Sequence, residues 1–167
     1  MSEIRGNQTS EYRQSWTEPK SPPPANRRAK VRHREEKARS RMFEGRVEET
    51  FSSGHALRGY KGKCENVHGH NYRVRVTLAG PKLNTIGLLV DFTELKRVLR
   101  GIIAGLDHQF LNDLEAFQVV NPSAENLAKY FYDETRRGLS ELPDGAGITE
   151  VIVWETDTSS AIYRPGT

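Results

Sequence analysis

The chain has one cysteine in 167 residues, Cys64, so no disulfide can close within it. The lack of a crosslinking framework fits a reducing cytosol and leaves the lone thiol to be explained by chemistry. Long apolar runs are missing too. No stretch approaches the roughly 18–20 residues that a membrane-spanning helix needs, and the N-terminus lacks the apolar core of a secretory signal. A cytoplasmic protein with no membrane partner is the expectation. The body of the chain also lacks an excess of positive charge. The net charge of +3 divides into +5 for residues 1–45, with 11 Lys/Arg and 6 Asp/Glu, and −2 for the rest, with 14 and 16. The basicity is a property of the N-terminal segment, and nothing in the remainder argues for a nucleic-acid partner.

Residues 1–41 have no periodic pattern of apolar residues. They contain Ser21-Pro22-Pro23-Pro24 and then a charged stretch from Arg27 to Arg41. Such a segment buries too little apolar surface to offset its ordering entropy, so a disordered basic extension is expected. Met42 stands directly before the first strand-like residues. That position suggests a natural start at Met42, with residues 1–41 an upstream over-extension. An intact mass of the protein from its native source tests this, and a species beginning at Met1 or Ser2 refutes it. The domain itself is expected over residues 42–167.

From residue 45 the pattern is orderly. Arg46 to Ser52 reads as a strand and Gly54 to Gly62 as a loop. His70 to Leu78 alternates clearly: Tyr72, Val74, Val76 and Leu78 face one way, Arg73, Arg75 and Thr77 the other. Gly87 to Asp91 reads as the returning strand of a long-looped hairpin. Leu95, Val98, Leu99, Ile102 and Ile103 form one stripe of a helix over Phe92 to Ala104. Ser123 predicts the N-cap of a second helix, with Glu125 suited to its positive first turn. Leu127, Tyr130, Phe131 and Leu139 form its buried side. Ile148 to Thr156 and Ser160 to Tyr163 read as strands. The order β-β-β-α-α-β-β predicts an α+β domain: an antiparallel sheet with both helices on one face.

The densest chemical signal is His55, Cys64, His68 and His70, four potential metal-binding side chains within 16 residues. His68 and His70 are two apart on a strand, so both imidazoles project to one side, about 6–7 Å apart along the backbone. Two imidazoles so placed can share an ion at about 2.0–2.1 Å each. Three neutral imidazoles without a thiolate describe an open, catalytic zinc site. Cys64 has two readings at this level, a zinc ligand or a base or nucleophile beside the metal. Asp107-His108 follows the first helix, where a carboxylate beside an imidazole can orient it for acid–base work. Glu155 ends the apolar run Val151-Ile152-Val153-Trp154, where an acid could pair with a guanidine-like substrate edge.

These residues together resemble the 6-pyruvoyl-tetrahydropterin and 6-carboxy-tetrahydropterin synthase family. The matching stretches are Phe51 to His55, Cys64 to Tyr72, Gly87 to Phe92, Leu106 to His108 with Leu111-Asn112, Asn121 to Asn126, and Glu155-Thr156. The resemblance implies a tunnelling fold whose sheets join into a barrel, as a trimer stacked into a homohexamer, with active sites between subunits. It implies His55, His68 and His70 as zinc ligands, Cys64 as catalytic base, and Asp107 with His108 as the relay that activates it. It implies Glu155 as the anchor of the pterin ring. Ser123 stands where the family usually has threonine, close to the pterin. Lys61, Lys63, Arg73 and Arg75 are candidate phosphate contacts. The substrate implied is 7,8-dihydroneopterin triphosphate. The short loop between His55 and Cys64 resembles the carboxy-type members of 7-deazapurine (queuosine) biosynthesis, which also release acetaldehyde. The pyruvoyl-type reaction and a zinc- or pterin-binding module without turnover are the alternatives.

Overall fold

The computed structural model describes residues 42–166. The expectations for residues 1–41, a disordered extension or an over-extension before Met42, lie outside the described residues. Four strands and two helices follow one another as β1 (Phe43–His55), β2 (His68–Gly80), α1 (Phe92–Ala104), α2 (Ala124–Gly138), β3 (Gly147–Thr156) and β4 (Ser159–Tyr163). The strands form one antiparallel sheet in the order β1-β2-β3-β4.

Alternation along the strands sorts side chains between two faces. Val47, Phe51, Tyr72, Val74, Val76, Leu78, Val151 and Val153 meet Leu95 and Leu99 of α1 and Leu127, Ala128 and Phe131 of α2 in one core. Both helices therefore cover the same face, as the helical stripes predict. Phe51 stacks on Tyr72 with centroids 4.9 Å apart and tilts against Phe131 at 5.6 Å. Truncating Phe131 to Ala would remove about 3–5 kcal/mol from this packing. The other face is polar. There Arg73 and Arg75 lie over the Trp154 ring, at 4.2 and 4.9 Å, and both pair with Glu48.

Helix starts match their caps. Asp91 accepts the Thr93 amide at 2.8 Å, and Ser123 accepts the Asn126 amide at 3.4 Å. One expected element is corrected. Gly87 to Asp91 is no strand; it is a turn in which the Asn84 side chain accepts the amides of Ile86 and Leu88, with Gly87 at φ 83°. β2 already pairs with β1 and β3 on its two edges, so no edge remains for a returning strand. Leu89 and Val90 still enter the core, from a loop.

Candidate metal centre and active site

The histidines gather because of strand register. β1 and β2 pair with His55 directly opposite His68 and Ser53 opposite His70. All of these positions lie on the helix-covered face, at the end of the sheet. Each strand runs further than the sequence pattern suggests, so His55 is the last residue of β1 and His68 the first of β2.

Two backbone carbonyls set the tautomers. His55 Nδ1 lies 2.7 Å from the carbonyl oxygen of Pro122, and His68 Nδ1 lies 2.7 Å from that of Asn66. A carbonyl only accepts, so each Nδ1 carries the proton and each Nε2 keeps its lone pair in the neutral ring. Those two Nε2 atoms stand 3.1 Å apart. The buried Nε2 of His70 has no hydrogen-bond partner. Glu155 Oε1 lies 3.1 Å from His55 Nε2 and 3.5 Å from His70 Nε2. The ligand atoms of His55, His68, His70 and Glu155 all fall within 4.8 Å of one another.

This donor set fits a metal ion. Bonds of about 2.0–2.1 Å at a tetrahedral centre separate two nitrogens by about 3.3–3.4 Å, close to the spacing here. Two carbonyl-fixed lone pairs and a carboxylate, with a third imidazole beside them, form a set that a cation would join favourably. Cys64 stands outside this group of ligand atoms, which favours the base or nucleophile of its two readings over the ligand.

Glu155 reaches the cluster through an irregularity. The β3–β4 register shifts between Trp154 and Thr156, leaving Glu155 as the extra residue of a bulge, a feature that re-aims a side chain. Hydrogen bonding to His55 lowers the Glu155 pKa; burial opposes it, and the charges of the three histidines reinforce it. Burial works to lower the pKa of His55, but the hydrogen bond to Glu155, the Pro122 carbonyl and the Glu155 charge together raise it. Burial lowers that of His70, with the Glu155 charge opposing. Tyr72, fully buried with an unpartnered hydroxyl, is pushed up by burial and then by the Glu155 charge.

The Asp107-His108 pair sits apart from the metal ligands, on the free edge of β1. Asp107 Oδ1 accepts the Ser52 amide at 2.8 Å, and the His108 amide donates to the Ser52 carbonyl at 2.7 Å. Asp107 Oδ2 holds His108 Nδ1 at 2.9 Å. The Ser52 amide bond, then the His108 contact, lowers the Asp107 pKa. His108 takes a left-handed φ of 59°, uncommon for a residue with a Cβ, and its ring is 81% exposed. Its ring and His70 line one cleft of 430 Å³. Cys64 does not line that cleft; it is half-buried on a short 3-10 turn over Lys63–Glu65, and no hydrogen bond among the described residues joins it to His108. Ser123 Oγ, expected near a pterin, caps α2 and lines a second hollow with Tyr60 and Asn121. Arg73 and Arg75 pair with Glu48 and lie over Trp154 on the opposite sheet face. The Pro122 carbonyl has no sequence signature of its own; only its place beside the Ser123 cap could have flagged it.

Residues 44–166 match the family model described as 6-pyruvoyl tetrahydropterin synthase. The chain belongs to the 6-pyruvoyl tetrahydropterin synthase family. It is 38% identical over 128 residues to the 6-carboxy-5,6,7,8-tetrahydropterin synthase of Bacillus subtilis, covering 74% of this chain and 86% of that one. It is 33% identical over 128 residues to the 6-pyruvoyl tetrahydrobiopterin synthase of Dictyostelium discoideum, covering 70% and 91%. The solved 6-pyruvoyl tetrahydropterin synthase of Caenorhabditis elegans superposes with a TM-score of 0.67 at 27% identity, covering 75% of this chain and 97% of that one. The antiparallel sheet with two helices is thus the tunnelling fold of this family. No helix among the described residues is long and apolar enough to cross a membrane.

Proposed function

We propose that the chain is a zinc-dependent lyase of the carboxy type. It would convert 7,8-dihydroneopterin triphosphate to 6-carboxy-5,6,7,8-tetrahydropterin, releasing acetaldehyde and triphosphate, in 7-deazapurine (queuosine) biosynthesis in the cytoplasm. The observation that carries this reading is the convergence of three imidazoles, two of them oriented by backbone carbonyls, in a chain 38% identical to a carboxy-type enzyme.

His55, His68 and His70 would hold the zinc. When bound, zinc supplies Lewis-acid polarisation of the substrate's side-chain hydroxyls and makes the neighbouring C–H more acidic. Cys64 takes up a proton from the side chain as its base. Asp107 fixes the proton on His108 Nδ1, so Nε2 is the atom left to exchange protons. Lys61 and Lys63, just before Cys64 in the chain, would meet the phosphates. Ser123 offers its hydroxyl proton to the pterin while its oxygen caps the helix.

Glu155 would anchor the pterin ring through its 2-amino and N3 groups, from a position beside the histidines, 3.1 Å from His55 Nε2. The exposed His108, in the segment that lines the outer edge of β1 and unlinked to Cys64, supports a shared site in which one copy's relay meets a neighbour's thiol. A homohexamer built through sheet edges would supply that neighbour and cover the edges.

Incubation of the zinc-loaded protein with the substrate, followed by assay of acetaldehyde and mass analysis of the pterin, tests the reading. A 6-carboxy product with stoichiometric acetaldehyde is expected. Triphosphate release without acetaldehyde would instead assign the pyruvoyl reaction, which relatives such as the Dictyostelium enzyme keep in view. No turnover by a zinc-replete oligomer would leave a binding module.

A further inference from the structure

Three residues past the end of β1 have no strand beside them, yet their backbone is fully engaged. The Ala56 amide donates to Asn112 Oδ1 at 2.9 Å, and Asn112 Nδ2 donates back to the Ala56 carbonyl at 2.8 Å. Two residues on, the Arg58 amide donates to Asn121 Oδ1 at 2.9 Å, and Asn121 Nδ2 donates to the Arg58 carbonyl at 3.0 Å. Each side-chain amide thus meets both polar groups of one residue, as a peptide unit of a neighbouring strand would. Between them the Leu57 amide, directed the other way by alternation, donates to the Cys64 carbonyl at 2.9 Å.

Further bonds hold this arrangement from behind. The Arg58 guanidinium donates to the carbonyls of Phe117 and Val120, both at 2.6 Å. Asn126 Nδ2, from the first turn of α2, donates to the Asn121 carbonyl at 2.8 Å. A continuous path of hydrogen bonds therefore runs from α2 through Asn121 and the 56–58 segment to the backbone of Cys64.

We propose that Asn112 and Asn121 are positioning residues that set the Cys64 thiol by acting as a two-rung substitute strand for residues 56–58. The proposal rests on Cys64 being the proton-transferring group. It explains why asparagine is used twice. Aspartate would set a second acceptor against the Ala56 or Arg58 carbonyl, and glutamine would carry the amide one methylene too far.

The test uses the full-length oligomer with Asn112→Ala, Asn121→Ala and the corresponding Asp variants. Four quantities are read: kcat, KM, zinc per subunit, and the rate of Cys64 alkylation by iodoacetamide. The expected result is a kcat loss on the order of 100-fold, the scale of an ångström-level misplacement. KM should stay within about 3-fold by the same argument, zinc content should be unchanged, and the alkylation rate should change several-fold. The Asp variants should behave like the Ala variants, whereas a merely polar requirement would be rescued by Asp. Folded Ala variants with unaltered kcat and alkylation rate, or rescue by Asp, overturn the proposal. Should the variants fail to fold, amide exchange of the unmodified protein decides. The amides of Ala56, Leu57 and Arg58 must be as protected as those of β1, and free exchange there refutes the clamp. If Cys64→Ala keeps turnover, the assignment of Cys64 fails, while the exchange and alkylation measurements still report on the clamp by themselves.

Discussion

Stripping the metal should destabilise the domain, and a single histidine substitution should abolish that effect. The Nε2 atoms of His55 and His68 face each other at 3.1 Å with both Nδ1 positions occupied by carbonyl bonds. In the metal-free protein, with both rings neutral, their lone pairs repel; with an ion between them the same spacing is favourable. Binding to the folded state alone stabilises it by about 2.7 kcal/mol when free zinc is 100 times its Kd. For a domain of this length 1 kcal/mol moves Tm by roughly 4 °C, so zinc should raise Tm by about 10 °C over a chelated sample. His68→Ala removes one ligand and one of the opposed lone pairs. Its Tm in chelator should equal or exceed that of the unmodified protein, while its response to zinc should vanish. Cys64→Ser, outside the ligand group, should keep the full zinc response. Scanning calorimetry of all three proteins, with zinc and with chelator, gives the six values. A protein indifferent to zinc, or a His68→Ala variant that keeps the 10 °C response, would refute the reasoning.

Three further outcomes follow from the site. His108→Gly should relieve the left-handed backbone and leave the urea midpoint equal or slightly higher, by up to about 1 kcal/mol, while turnover falls by roughly 10²-fold or more as the acid–base group is lost; near-normal turnover would remove His108 from the reaction. In the metal-free protein Glu155→Gln should lower the pKa of His55, read by histidine NMR titration, because the carboxylate is what holds that value up against burial. The Asp107 pKa is lowered on folding, so its contribution is present above the ordinary carboxylate value of about 3.9 and is lost as pH falls through the depressed one. The gap in urea midpoint between the unmodified protein and Asp107→Asn should therefore be open at neutral pH and closed in strong acid, and a gap independent of pH would contradict the Ser52 and His108 contacts as its source.

The helices were the most legible elements because their signals are local. The stripe from Leu95 to Ile103 and the Ser123 cap each read directly from 3- and 4-residue spacing and one hydroxyl. The strands near the site were less legible. Ser52-Ser53-Gly54 has little strand propensity, and the segment becomes β only because Gly69, His70 and Asn71 pair with it on one edge and residues 107–109 bond to it on the other. Leu89 and Val90 mimic a strand since buried apolar residues in a loop carry the same composition. The histidines proposed as ligands were read from spacing, but the carbonyls of Pro122 and Asn66 that orient His55 and His68 are invisible in any sequence, as backbone groups have no letter.

Register ties the fold and the site into one specification. The alternation that buries Phe51, Tyr72, Val74 and Val76 is the alternation that puts His55, His68 and His70 on the same face. A slip of β1 by one residue against β2 would turn Val47, Phe51 and His55 to the polar face, away from Tyr72, His68 and His70. The loss of that apolar burial, at about 1.5–3 kcal/mol for each large side chain, exceeds any preference the histidines could express themselves. The proposed metal site would thus be enforced by the core rather than by the metal. The proposed relay is held by fewer contacts: Asp107 and His108 are tied to Ser52, to the Ile103 carbonyl that accepts the Asp107 amide, and to one another, with the imidazole in solvent. If His55, His68 and His70 form the electrophilic centre and Asp107 with His108 the proton relay, a register-locked centre and an exposed, edge-mounted relay would be joined by assembly and not by folding of the single chain.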